Sequence, residues 1–335
     1  MGFNIRHIKK YVNWVSNDRK NYKKDCKVSK EYAKLNRKLN RAMLVNNTDK
    51  IESVSSQKHE YILAKLSAIC TDTLKKYENY QEPNNLRTPN TEIKVWSMWW
   101  QGEESAAKLF RMCIDSARRH TGHEVVTLSK ENYSKYFTIP EHMLKKQQEG
   151  RIALQHICDY MVMAIMAAEG GLFTGATVWW SQDVGDDVLR APFFVPKAES
   201  KSQYHMSRSR WVGYVMGGNK EFPLFSFVRD ALEEYWRKCD IAIDYLMMDY
   251  LFEFAYRTLP CVKEMIDENP DNNLLRNELI NVLSEPYDEQ NFKRFTEGET
   301  FLYKLSWKFG KKDIVTADGR QTNYGHMLEE CGDRL

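Results

Sequence analysis

The stretch "AAEGGLFTGATVWW", residues 167–180, decides the fold. Two alanines close an apolar segment over 151–168 that is dense in Ile, Leu, Met and Ala, which is helix chemistry. Gly170-Gly171 stop it, because glycine accepts the backbone conformations that end helices. Aromatic and β-branched residues follow at once, so a strand is expected over 171–180. A ligand is expected close to this junction. Yet the turn carries Thr174 and Gly175, and no carboxylate occurs before Asp183.

Working outward, "IKVWSMWW" (93–100) is an apolar, β-rich run ending in Gln101-Gly102, with a helix expected over 104–119. "HEVVTLS" (123–129) is a second strand, and "NYSKYFTIP" (132–140) an irregular connection. Strand, helix, strand, helix, strand is the order of an α/β protein with a mainly parallel sheet flanked by helices. Downstream come a short helix at 186–190, a strand over 209–218 with Gly217-Gly218 as its turn, and helices at 223–238 and 241–257. A strand-like "FLYKLSWK" (301–308) and a final helix complete the chain. Upstream, 28–45 and 55–77 read as helices, and 78–90, with Pro83, Pro89 and several Asn, as a linker. The expected division is a helical, basic N-terminal region at 1–90 and an α/β domain at 91–335.

Charge is unevenly spread. Residues 1–45 hold 13 Lys and Arg against three acids, which leaves 36 basic residues against 43 acidic in the rest. Within the arm, Ile5, Ile8, Val12 and Val15 recur at helical spacing between lysines, an amphipathic pattern. That stripe suits packing on the main domain or contact with an anionic membrane surface. No nucleic-acid module accompanies the arm, so no nucleic-acid partner is expected. The seven cysteines are widely spaced without a CxxC, which argues against a disulfide framework or a zinc site. No signal core and no 18-residue apolar run occurs, so a cytoplasmic protein is expected.

Ligands of open α/β sheets bind beyond the carboxyl ends of the parallel strands. Three loops qualify: Trp99-Trp100-Gln101-Gly102, the loop after Leu128, and the segment around 179–187. Dinucleotide, P-loop, zinc-protease and serine-hydrolase motifs are all absent. Asp159, inside the apolar "HICDYMVMAIM", needs either solvent or partners, and could accept bonds from sugar hydroxyls. His156 shares its face. Asp244 and Asp249 lie about 140° apart around a helix, so they face different sides, and one of them points inward.

Four blocks taken together resemble the bacterial capsular polysaccharide synthesis proteins: "VWSMWWQGEESAAKLFRMCIDSARRH", "ENYSKYFTIPEHMLKKQQEGRIALQHICDYM", "EGGLFTGATVWW" and "IDYLMMDYLFEFAYRTLP". The late "KLSWK" and "TNYGHML" fit as well, and the resemblance runs from about residue 91 to 328. It implies a GT-A-like sheet and a sugar transferase, retaining in many relatives. Such an enzyme moves a sugar from a nucleotide-sugar donor to a saccharide or lipid-linked saccharide acceptor. It further implies donor binding by Trp99, Trp100, Gln101, Gly102, Asp159, Gly170, Gly171, Gly175 and Thr177, with Asp159 and Asp249 as catalytic candidates. The aromatic residues Trp179, Trp180 and Trp211 suit stacking on sugar faces or core packing.

The family implies a divalent metal, Mn²⁺ or Mg²⁺, held by an Asp on the strand after the double glycine. Here that position is Gly175, and the family's helix Arg is Val162. Three routes stay open. The leaving charge is met by Lys or Arg, with Arg208, Arg210, Lys304 and Lys308 as candidates. Alternatively, metal is held by displaced carboxylates such as Asp183, Asp186 or Asp187. Otherwise the domain is degenerate and binds or scaffolds without catalysis.

Overall fold

A computed structural model of the chain describes residues 30–198, 200, 202–308 and 312–332. The amphipathic segment expected at 3–15 lies outside the described residues, as does the basic arm before residue 30.

Five strands form the central sheet: β1 (Val95–Met98), β2 (Val125–Leu128), β3 (Gly171–Thr174), β5 (Phe193–Phe194) and β6 (Val215–Gly218). Their order is β2-β1-β3-β6-β5. β1 runs parallel to both β2 and β3, while β6 is antiparallel to β3 and to β5. Four strands therefore point one way and β6 the other, in agreement with the mainly parallel sheet expected. Both faces are covered, which is why these strands read as unbroken apolar runs. Trp96, Met98, Phe173 and Met216 face one core, and the alternating Val95, Leu172, Val215 and Phe194 face another.

On the first face, α6 (Leu154–Glu169) packs on α8 (Pro223–Lys238), which in turn carries α9 (Met247–Thr258). On the second face, α4 (Lys108–Thr121) buries Phe110, Ile114 and Ala117. Of the N-terminal helices, α2 (Thr48–Ile69) and α3 (Thr71–Tyr77) dock beside α8 and α9, and α1 (Lys30–Leu44) packs on α2. Ile62, Leu66 and Cys70 belong to the same core as Met161 and Trp236, so the core continues across residue 90.

Three expectations need correction. The strand expected at 171–180 is two strands in different sheets. β3 ends at Thr174, a tight turn closed by Val178 N–H on the Gly175 carbonyl follows, and β4 (Val178–Trp180) pairs with β7 (Leu302–Lys304). Gly217 and Gly218 lie within β6 rather than in a turn; a Cβ on Gly218 would stand 2.8 Å from the Phe225 ring. The helix expected over 241–257 starts only at Met247. Asp244 is drawn aside by Lys58 (2.7 Å) and the Tyr32 hydroxyl (2.8 Å), and it accepts from the Leu246 amide, a local bond that competes with helix.

Candidate functional site

The carboxyl ends of β1, β2 and β3 lie at Met98, Leu128 and Thr174. The start of β6 joins them, because Val215 pairs with Thr174. Several sequence-derived candidates meet at this edge.

The first loop is a turn fastened to β2: Trp99 N–H donates to the Leu128 carbonyl (2.9 Å) and Lys130 N–H to the Trp100 carbonyl (3.0 Å). Trp99 tucks against Phe110, and Trp100 stacks on Tyr133 with 20° between the planes. Gln101 is exposed, and Gly102, at φ 88°, opens onto free space. The Gly102 N–H is spent on the Trp99 carbonyl and Ser105 occupies the Gln101 and Gly102 carbonyls, so the loop presents the Gln101 side chain, with Trp100 partly exposed.

Asp159 sits near the start of α6, the end that faces this edge because the helix runs back against β3. It is 8% exposed and held by Gln155 Nε2 (3.0 Å) and His156 Nδ1 (3.3 Å). Asp249, in the first turn of α9, accepts from Trp211 Nε1 (3.2 Å). Burial pushes the Asp249 carboxyl up to about 6. The charges of Asp159 and Asp244 push the same way, and the Trp211 bond opposes them. Asp159 and Asp249 thus lie within electrostatic reach of each other. Asp244 is the one consumed by structure. Trp179 and Trp180 are fully buried core residues rather than sugar platforms.

At the turn, Gly175 N–H donates to the Tyr214 carbonyl at 2.6 Å. Thr177, 8% exposed, receives Lys304 Nζ at 2.5 Å; the amine also donates to the Leu305 carbonyl (2.8 Å) and lies 5.4 Å from the Tyr214 ring centre. Burial lowers the Lys304 pKa. Arg276 is 6% exposed, bonds the Asn273 carbonyl through Nη1, and takes the Lys304 amide on its own carbonyl (2.7 Å). Burial raises the Tyr214 hydroxyl, and the Arg276 guanidinium beside it opposes that rise. Sequence reading singled out Lys304 but missed Arg276 and Tyr214. An arginine flanked by "LL" in "NNLLRNEL" is the only local signal for the first.

These residues do not fit a divalent ion. Among the described residues no three His, Cys, Asp or Glu are arranged to hold one. Gly175 supplies no donor, and a Cβ there would stand 2.9 Å from the Tyr214 carbonyl oxygen. The adjoining side chain is a lysine. Of the displaced carboxylates, Asp183 and Asp186 stand away from this turn. Asp183 bonds His120 at the far end of α4, and Asp186 pairs with Arg190, which reaches the Asn90 and Thr91 carbonyls ahead of β1. Both lie at the opposite edge of the sheet.

Gly170 and Gly171 are likewise at that far edge, at the amino end of β3. Their φ angles are 65° and 95°, and a Cβ on Gly171 would meet the Lys94 carbonyl at 2.3 Å. They serve close packing, and their position gives no support to a part in donor binding. Of the other cations, Arg210 is held by Glu253 (2.5 Å) between the Trp211 and Tyr256 rings. Arg208 has a buried Nε without a partner, and Lys308 lies over the exposed Trp307.

The family described as capsular polysaccharide synthesis protein matches residues 41–327, beginning within α1 rather than at 91. No curated protein matches the sequence significantly. A solved structure titled "PaToxG Glycosyltransferase" is similar at 11% identity with a TM-score of 0.38, over 62% of this chain and 83% of that one.

Proposed function

This chain belongs to the capsular polysaccharide synthesis protein family, and from that premise we propose that it is a GT-A-type glycosyltransferase. It takes a sugar from a nucleotide-sugar donor and passes it to a hydroxyl of a saccharide or lipid-linked saccharide. One observation carries the reading: the Asp249 carboxyl, bonded by the Trp211 indole, lies within electrostatic reach of Asp159, whose helix starts toward the carboxyl ends of the parallel strands, where ligands of open α/β sheets bind.

Asp159 and the exposed Gln101 side chain hold the nucleoside. Asp249 faces the donor sugar. At pH 7 its carboxyl is mostly ionised and accepts a bond from a sugar hydroxyl, while Trp211 fixes its orientation. The bond from the anomeric carbon to the diphosphate oxygen breaks as the acceptor oxygen bonds to that carbon on the same face of the sugar, which retains the configuration. The acceptor proton leaves with the diphosphate. The basic residues within 1–45 bring the protein to the anionic inner face of a membrane, where a lipid-linked acceptor sits.

A second reading, a scaffold that kept the fold without the reaction, is favoured by Gly175 and by Val162, which is 5% exposed in the core. Titration calorimetry with UDP-, GDP- and CMP-sugars tests the first; silence with every donor would sink it. Sugar transfer in EDTA by the unaltered chain would sink the second.

A further inference from the structure

The strand end that carries the family's metal ligand here carries positive charge instead. Lys304 reaches it from β7 and Arg276 from the segment before α11 (Leu279–Val282). Neither makes an ion pair with a carboxylate among the described residues. The Arg276 Nε is buried with no hydrogen-bond partner, although the residue is 6% exposed. Lys304 spends two of its three N–H donors on Thr177 and Leu305 and keeps one. Placing two cations in a poorly solvated place without a counter-charge is unfavourable unless an anion completes it.

We propose that Lys304 and Arg276, with the Thr177 and Tyr214 hydroxyls, form a metal-free site for the diphosphate of a nucleotide donor. Charge arithmetic supports the exchange. An aspartate holding a divalent ion presents one net positive charge; Gly175 beside Lys304 presents the same, and Arg276 adds a second. Both cations are set before the ligand arrives: Lys304 by the β4–β7 register, which places it opposite Val178, and Arg276 by Asn273. Fixed positive groups aimed at developing negative charge are what departure of a diphosphate requires. Guanidinium suits phosphate through its fork of donors, and ammonium acts as a point charge.

The choice of a nucleoside diphosphate as ligand rests on the transferase reading; the anion site does not. The test measures binding of UDP, GDP and inorganic pyrophosphate by calorimetry in EDTA and again with Mn²⁺, for wild type, Lys304→Met and Lys304→Arg. The expected result is nucleotide binding in EDTA that changes less than about twofold with Mn²⁺. It should weaken at least about tenfold in Lys304→Met, remain within about threefold in Lys304→Arg, and weaken as salt is raised. Unchanged melting of the variants separates this loss from misfolding. Should Lys304→Met be unstable, Lys304→Arg with Arg276→Lys, which keep both charges, must still bind pyrophosphate. Nucleotide binding only with Mn²⁺, or equal affinity in a folded Lys304→Met, overturns the site and leaves the transferase reading standing. Pyrophosphate binding in EDTA that Lys304→Met abolishes, with no nucleotide bound, upholds the anion site and removes the transferase reading. Absence of all binding overturns both.

Discussion

Replacing Gly175 with Ala isolates what the glycine is for. Its φ is outside the left-handed region, so backbone strain does not require glycine there. On chain entropy alone, Gly175→Ala stabilises the fold by about 0.4–1 kcal/mol, because alanine has less freedom to lose. Packing points the other way. The new Cβ would stand 2.9 Å from the Tyr214 carbonyl oxygen and 3.2 Å from its Cβ, and the same carbonyl accepts the Gly175 amide at 2.6 Å. Neither contact is the free end of a flexible side chain, so β3 and the entry to β6 must part. Forcing an extra carbon into a packed site costs about 1–3 kcal/mol, so the steric term wins and a net loss of about 1–2 kcal/mol is expected. Urea unfolding followed by tryptophan fluorescence measures it. Gly175→Asp should lose a similar amount, partly offset by Lys304, and should not acquire Mn²⁺ dependence, because its carboxylate meets an ammonium first. If Gly175→Ala is as stable as wild type or more so, Tyr214 yields freely and the packing account of the missing aspartate is wrong.

Other residues give equally direct expectations. The raised carboxyl of Asp249 favours its protonated form, so its ionisation removes stability as pH climbs from 3.8 through about 6. Asp249→Asn should therefore melt above wild type at pH 8, by up to about 3 kcal/mol of stability, with the gap closing near pH 4. Burial would raise the Glu234 carboxyl, but Lys238, the Thr73 hydroxyl and the Asp72 and Thr73 amides hold it at about 2. Its contribution is present above pH 4.5 and fades as pH falls through 2, so Glu234→Gln should lose on the order of 3 kcal/mol at pH 7 and flatten the acid limb of a melting profile. Gly171→Ala places a Cβ 2.3 Å from the Lys94 carbonyl at φ 95°; insoluble protein or a melt lowered by more than about 3 kcal/mol is expected, and an unchanged melt would contradict the packing described.

Much of the scaffold was legible because its signals are local. Residues 95–98 and 171–174 are strands buried on both faces, and such strands announce themselves as apolar runs; the edge strand 125–128 is half-buried but keeps the same signal. The helix at 154–169 ends where its glycines say it ends. Breaks imposed from a distance were not legible. A single helix over 55–77 gives way to two at Cys70, because the Glu234 carboxylate, from α8, caps the Asp72 and Thr73 amides that open α3. The run 171–180 splits because Gly175 is tied to Tyr214 and Thr177 to Leu305, partners 39 and 128 positions away in sequence. The candidate site was half legible: Asp159, Asp249 and Lys304 were named, Arg276 and Tyr214 were not, and Gly170-Gly171 belong to the other edge.

By itself, then, the sequence determined the strands and helices in outline, their order, the family and the absence of an aspartate at position 175, since each is written in neighbouring residues. Only the tertiary structure decided which carboxylate is spent on Lys58 and which is held by the Trp211 indole. It also decided which edge of the sheet each loop serves, and that a lysine and an arginine stand where the metal's ligand was expected. Those outcomes depend on pairings across the chain, such as Lys304 opposite Val178, and side-chain charge acquires its meaning from what burial and distance place beside it.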